Sequence, residues 1–180
     1  MKDLKEPLRR EMRARLRVEA ASLKWRSEAI CEQLQKARFW EASRTVGLFC
    51  PLPEEPDLLA LMAEKHRRFT FPRIAGDRLV WHEVCDPRTL QPSKTDGLRR
   101  LYEPEEGVPV PLGEIDLLLV PGLAFTLAGG RLGRGGGYYD RVLAEAGAGT
   151  KRVGVCFAFQ VLEALPVEKH DLPVEQVFHA

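Results

Sequence analysis

From Ile115 to Val120 the chain reads Ile-Asp-Leu-Leu-Leu-Val and is stopped at once by Pro121. A strand of that composition has to be covered on both faces, and such strands belong to parallel sheets lying between helices. Shorter apolar runs predict further strands at Thr45 to Cys50, Phe69 to Phe71, Leu79 to Val84 and Arg152 to Phe157, with an edge strand at Gln176 to His179. Residues 4 to 36 predict helix: Leu4, Leu8, Met12 and Leu16 fall on one face, and Pro7 is tolerable in a first turn. A break near Ala21 and Ser22 divides that helix, with Ser22 placed to cap the second half. Shorter helices are expected from Asp57 through Lys65 and from the region of Asp140 to about Ala146. Strands alternating with helices give an α/β fold, a mostly parallel sheet flanked by helices. In such folds ligands bind beyond the carboxyl ends of the strands, which directs attention to the loops after Cys50, Val120 and Phe157. The long stretch from Cys85 to Gly113, rich in Pro, Gly and charge, is expected to be a functional loop.

A chain of 180 residues with 44% hydrophobic content suits one domain over residues 1–180. No apolar stretch approaches the ~20 residues of a membrane span, and the charged N-terminus has no apolar segment behind it. The expectation is a cytoplasmic protein without membrane contact. Cys31, Cys50, Cys85 and Cys156 form no Cys-x-x-Cys pair, and His82 with Cys85 has no second pair at zinc spacing. Structural zinc and a disulfide scaffold are both set aside. The net charge of +1 provides no global attraction for nucleic acid. Locally, however, residues 1–17 carry seven basic and three acidic side chains. Within them Lys5, Arg9, Arg13 and Arg17 recur every four residues, about 6 Å apart along one helical stripe. That stripe is either a solvated face or a docking place for an anion.

The strongest chemical signal is Gly129-Gly130-Arg131-Leu132-Gly133-Arg134-Gly135-Gly136-Gly137, followed by Tyr138-Tyr139-Asp140-Arg141. Glycines let backbone N–H groups turn inward on an anion, and a following helix N-terminus adds its dipole. Arg131 and Arg134 supply forked donors for phosphate. No Gly-Lys-Ser/Thr is present, and a dinucleotide fingerprint through Gly133 and Gly135 would need glycine at Tyr138. The loop therefore reads as an anion site outside those two motifs. Of Tyr138 and Tyr139, one can pack in the core while the other stacks on a flat ring. Asp140 can stabilise the helix start or hold Mg²⁺ beside phosphates. Glu54 and Glu55, behind a strand's carboxyl end, are either an exposed turn or acceptors for a heterocycle's N–H groups. The only serines are Ser22, Ser27, Ser43 and Ser93, none in a nucleophile elbow, so nucleophilic catalysis is not expected.

Pro121-Gly122-Leu123-Ala124-Phe125-Thr126 and Arg131 through Arg141, with Lys5-x-x-Leu8-Arg9 near the start, resemble the 5-formyltetrahydrofolate cyclo-ligase family. The resemblance implies a fold similar to sugar-phosphate isomerases and CoA transferases. It implies conversion of 5-formyltetrahydrofolate and ATP to 5,10-methenyltetrahydrofolate, ADP and phosphate, with Mg²⁺ as a cofactor. It further implies that Lys5, Arg9 and the run Arg131, Leu132, Gly133, Arg134, Gly135, Gly136, Gly137, Tyr138 and Tyr139 meet ATP. Lys5, Arg9 and Arg134 would act on the reacting phosphate, and Asp140 and Asp171 would serve Mg²⁺. Glu55 would bind the pterin with Cys50 near it, and Arg134 through Tyr138 would also border the folate. The partner implied is a small molecule, with no nucleic acid or membrane, and the expected state is a monomer or weak dimer.

Two departures from the family pattern stand out. Gly97-Leu98-Arg99-Arg100 occupies a place where relatives often carry an aromatic that can cover the folate. Gly136 stands where some relatives have Lys. Two rival readings compete: a sugar-phosphate isomerase, which needs a carboxylate base from Asp140 or Glu55, and an RNA-binding protein using the basic helix. The second lacks aromatics interleaved with the arginines.

Overall fold

The structure is a computed structural model and describes residues 4–94, 101–166, 168 and 171–180. Two helices open the chain, α1 (Lys5–Val18) and α2 (Leu23–Gln35), and a short α3 (Arg38–Ala42) follows. The break between α1 and α2 is a 3₁₀ turn at Ala20–Ser22, as expected, but Ser22 does not cap α2. Its hydroxyl donates backwards, 2.8 Å to the Glu19 carbonyl. Met12 and Leu16 are buried as their spacing predicts, whereas Leu4 lies outside the seam, 71% exposed.

The strands are β1 (Thr45–Gly47), β2 (Arg68–Ala75), β3 (Arg78–Glu83), β4 (Gln91–Pro92), β5 (Tyr102–Glu103), β6 (Pro109–Val110) and β7 (Leu117–Val120). Then come β8 (Ala124–Phe125), β9 (Arg131–Leu132), helix α4 (Tyr138–Glu145), β10 (Lys151–Cys156) and β11 (Gln176–His179). Seven of them form one sheet in the order β11-β10-β7-β1-β2-β3-β6. The pairs β11/β10, β10/β7, β7/β1 and β1/β2 are parallel, while β3 and β6 add an antiparallel margin. An α/β fold with a mostly parallel, helix-flanked sheet is what the alternation of elements predicts.

Strand β7 shows why its composition was so restrictive. Leu117 and Leu119 belong to the hydrophobic cluster that receives α1, α2 and α3, and Leu118 and Val120 to the cluster that receives α4. All four are fully buried. The helix expected from Asp57 through Lys65 is instead a five-residue 3₁₀ turn, Leu59–Ala63. The Leu61 N–H closes on the Leu58 carbonyl at 3.1 Å and the Glu64 N–H on the Leu61 carbonyl at 3.2 Å, the tighter three-residue spacing used by short connecting pieces. The Cys85 to Gly113 region carries the small β4–β5 ribbon and β6, so it is only partly loop. The Gly97 to Arg100 departure lies outside the described residues.

The glycine-rich block divides. Arg131 and Leu132 pair with Phe125 and Ala124 in a hairpin whose turn holds Gly129 and Gly130. The segment from Gly133 to Gly137 is then the free loop leading into α4.

Candidate active site

Chain order reverses at β1: β2 lies on one side of it, and β7, then β10 and β11, on the other. At such a switch point the loops leaving neighbouring strands part and leave a crevice. Here those loops are the segment after β1 and the one after β7. Between them opens a cavity of about 520 Å³, large enough for a drug-sized ligand. Phe49, Cys50, Leu52 and Glu55 reach it from the first loop, and Pro121 and Gly122 from the second. The glycine loop and the start of α4 add Arg131, Gly133, Arg134, Gly136, Gly137, Tyr138, Tyr139 and Asp140. A smaller cavity of about 400 Å³ adjoins it, lined by Lys5, Arg9, Gly133, Gly135, Gly137, Asp140, Arg141, Glu168 and Asp171 among others. Gly133, Gly137 and Asp140 line both.

The two cavities differ in chemistry. Lys5 and Arg9, one turn apart on α1, face the smaller one. The buried Lys5 ammonium donates to both Asp171 oxygens at 2.6 Å and to Glu168 at 2.7 Å. Burial lowers its pKa, but these hydrogen bonds outweigh burial and hold it above the usual lysine value, so the charge is kept. Arg9 donates its Nε to the Gly133 carbonyl at 3.2 Å, docking α1 on the glycine loop. Arg13 turns to Glu6 at 3.5 Å and Arg17 is exposed, so the basic stripe divides after two members. Gly135 and Gly137 have φ of +105° and +68°, backbone that side chains rarely tolerate, whereas Gly136 between them does not.

The larger cavity combines apolar walls with donors that lack a protein acceptor. Among the described residues, Arg131 Nε, Arg134 Nη2 and the Tyr139 hydroxyl are buried without a hydrogen-bond partner, and all three residues line this cavity. Buried orphan donors are costly, so three in one cavity point to a ligand rich in acceptors. Arg134 is aimed by carboxylates: its Nε donates to Glu55 at 2.7 Å and its Nη1 to Glu54 at 3.2 Å. Glu55 is further held by the Leu52 N–H at 3.0 Å. Arg131, only 4% exposed in its side chain, donates to Asp140 at 2.6 Å and to the Pro121 carbonyl at 3.2 Å. Burial and the nearby Glu103 and Glu55 push the Cys50 thiol up to about 12, so it stays protonated and is a wall, not a nucleophile. Burial likewise holds the Tyr139 hydroxyl protonated.

The structure thus draws most of the sequence-derived candidates into these two cavities. Leu132 is the exception: it is 1% exposed in the core and lines neither. Sequence reasoning missed Glu168 and Tyr102, both cavity-lining. Glu168 lies in an irregular tail with no motif, while Tyr102 had a legible signal as an aromatic inside the expected functional loop. As for a metal, no group of three or more His, Cys, Asp or Glu among the described residues could hold one alone. Mg²⁺ needs only one or two carboxylates when phosphates supply the rest, and Asp140 and Asp171 beside a basic cavity fit that case.

A sequence model of the 5-formyltetrahydrofolate cyclo-ligase family matches residues 1–180. The chain is 34% identical over 146 residues to 5-formyltetrahydrofolate cyclo-ligase of Mycolicibacterium smegmatis, covering 76% of this chain and 73% of that one. It is 24% identical over 188 residues to the Mus musculus enzyme of the same name, covering 97% and 93%. The NMR structure of Aquifex aeolicus 5,10-methenyltetrahydrofolate synthetase superposes with a TM-score of 0.82 at 34% identity, covering 98% of this chain and 89% of that one. The Mycoplasma pneumoniae synthetase, at 18% identity, shares the fold with a TM-score of 0.72, over 97% of this chain and 98% of that one.

Proposed function

The chain belongs to the 5-formyltetrahydrofolate cyclo-ligase family, and on that premise we propose that its two adjoining cavities divide the reaction between them, folate in the larger and ATP phosphates in the smaller. Its activity is that family's ATP-dependent ligation, closing 5-formyltetrahydrofolate to 5,10-methenyltetrahydrofolate. The observation that carries the division is the shared wall. Gly133, Gly137 and Asp140 line both cavities, so a γ-phosphate in one and a formyl group in the other meet at the same loop.

A formamide oxygen is a poor leaving group and must be activated. In the proposed sequence the formyl oxygen attacks the γ-phosphorus and ADP departs, leaving an N5-iminium phosphate. N10 then attacks the same carbon, its proton goes to solvent, and the C–O bond breaks to release phosphate. Phosphoryl transfer of this kind asks the protein for position and charge rather than a nucleophile. Lys5 and Arg9 supply cationic charge on the ATP side, and the glycine loop brings N–H groups close to the phosphates. Arg134, aimed by Glu54 and Glu55, offers its unpaired Nη2 to the phosphoryl group in transit. Asp140 and Asp171 would hold Mg²⁺, which neutralises phosphate charge when bound. The pterin lies along Glu55 and the Cys50 wall, excluded from water by Phe49 and Leu52.

Mixing the protein with 5-formyltetrahydrofolate and Mg-ATP should produce the methenyl chromophore with equimolar ADP. No chromophore, or a chromophore formed without ATP consumption, would sink the assignment.

A further inference from the structure

Tyr102 lines the larger cavity, yet 47% of the residue is exposed. Core packing does not account for a large aromatic held at an apolar cavity with half its surface open. Its position is well anchored. Tyr102 pairs with Pro92 in the β4–β5 ribbon, and the Ser93 N–H donates 2.7 Å to the Leu101 carbonyl beside it. The next residue, Glu103, turns the opposite way, as strand alternation requires, and is 3% exposed. It pairs with Arg73 of β2 at 3.2 Å, and Arg73 also donates 2.9 Å to the Pro104 carbonyl. Glu103 thereby ties the ribbon to the main sheet, and Tyr102, turned the other way, lines the cavity.

The neighbouring lining is hydrocarbon: Leu101 from the ribbon, Pro72 and Ile74 from β2, Leu79 from β3. The charged groups of the same cavity come from the loop after β1 and from the glycine loop and α4 instead. An aromatic face among aliphatic walls suits a flat conjugated ring and offers little to a triphosphate. We propose that Tyr102 is a specificity-determining residue that stacks on a flat ring of the bound folate and closes the apolar end of its subsite. This rests on the assignment of the larger cavity to the folate.

The test uses Tyr102→Ala and Tyr102→Phe in the whole protein, with steady-state kinetics and calorimetric binding of 5-formyltetrahydrofolate without ATP. Tyr102→Ala should raise KM and Kd for 5-formyltetrahydrofolate roughly tenfold, as loss of one aromatic stack does. KM for ATP and kcat at saturating folate should stay within about twofold, and Tyr102→Phe, which keeps the ring, should match wild type. Wild-type folate affinity in Tyr102→Ala overturns the proposal, as does an equal rise in the KM for ATP, which would mark a structural role. Equal impairment of both variants also overturns it, since the hydroxyl and not the ring would then be the contact. If the wild-type protein turns over but Tyr102→Ala binds folate normally, the stacking fails alone. If the wild-type protein binds no folate, the cavity assignment fails and the stacking with it.

Discussion

Arg131 and Arg134 stand three positions apart in one loop, and sequence treats them alike. Their partners separate them. Arg131 is held by Asp140 and the Pro121 carbonyl, with its Nε left unpaired at the larger cavity. Arg134 is steered instead by Glu54 and Glu55 of the loop after β1, and it too keeps one nitrogen unpaired. Asp140 consequently has two tasks, partner to a buried guanidinium and candidate Mg²⁺ ligand. Asp140→Asn should cost about 2–4 kcal/mol in urea unfolding, because a buried arginine is left without its anion. Combined with Arg131→Met, the loss should fall short of the two single losses added together by at least about 1 kcal/mol. Additive losses would show that the ion pair contributes nothing. Independently, the Mg²⁺ concentration for half-maximal turnover should rise in Asp140→Asn; an unchanged value would leave Asp140 as the partner of Arg131 alone.

Among the elements, the β8–β9 hairpin is the one that changes the meaning of the glycine block. Gly129 has φ of +91°, and a Cβ there would stand 2.1 Å from the Val174 carbonyl oxygen. The Val174 N–H in turn donates to the Gly129 carbonyl at 3.0 Å, so the hairpin tip is docked directly on the C-terminal tail. Gly129 is therefore required by packing, not by phosphate. Gly129→Ala should destabilise the fold by about 2 kcal/mol or more, from backbone strain plus the clash with a carbonyl that cannot move aside. Its KM for ATP should change little where it remains folded. A stable variant with wild-type unfolding midpoint would contradict the close approach. Nothing in a run of glycines distinguishes a turn that must pack from a loop that must bind, because both need the missing Cβ.

At the scale of the whole molecule, Lys5 and Asp171 join opposite ends of the chain across the smaller cavity. Lys5→Met should lower the stability of the free protein, since Asp171 and Glu168 lose the buried cation they share. It should also abolish the rise in melting temperature on adding Mg-ATP while preserving the rise on adding 5-formyltetrahydrofolate, each ligand stabilising by mass action on its own cavity. Thermal unfolding with each ligand separately is the check. Loss of both shifts would mean that α1 shapes the entire site and not the ATP side alone.

The mostly parallel sheet was legible along the chain because burial on both faces forces an apolar composition at Leu117 to Val120 that no solvated strand would carry. The break before Leu23, the strand at Arg78–Glu83 and the edge strand at Gln176–His179 were legible for the same local reason, a period or a breaker within a few residues. The placement of a glycine loop from Gly133 to Gly137 directly before a helix was also legible locally, since it depends only on the glycine run and the periodic residues that follow. Other features depended on distant partners. Lys5 is tied to a tail 166 positions away, Glu55 grips Arg134 from 79 positions away, and the crevice exists only because strand order reverses beside β1. Tyr102 comes to line the larger cavity only through a ribbon that Glu103 and Arg73 tie to β2. Composition and period act over one or two turns of chain, whereas an ion pair or a cavity is defined by which surfaces the folded sheet brings face to face.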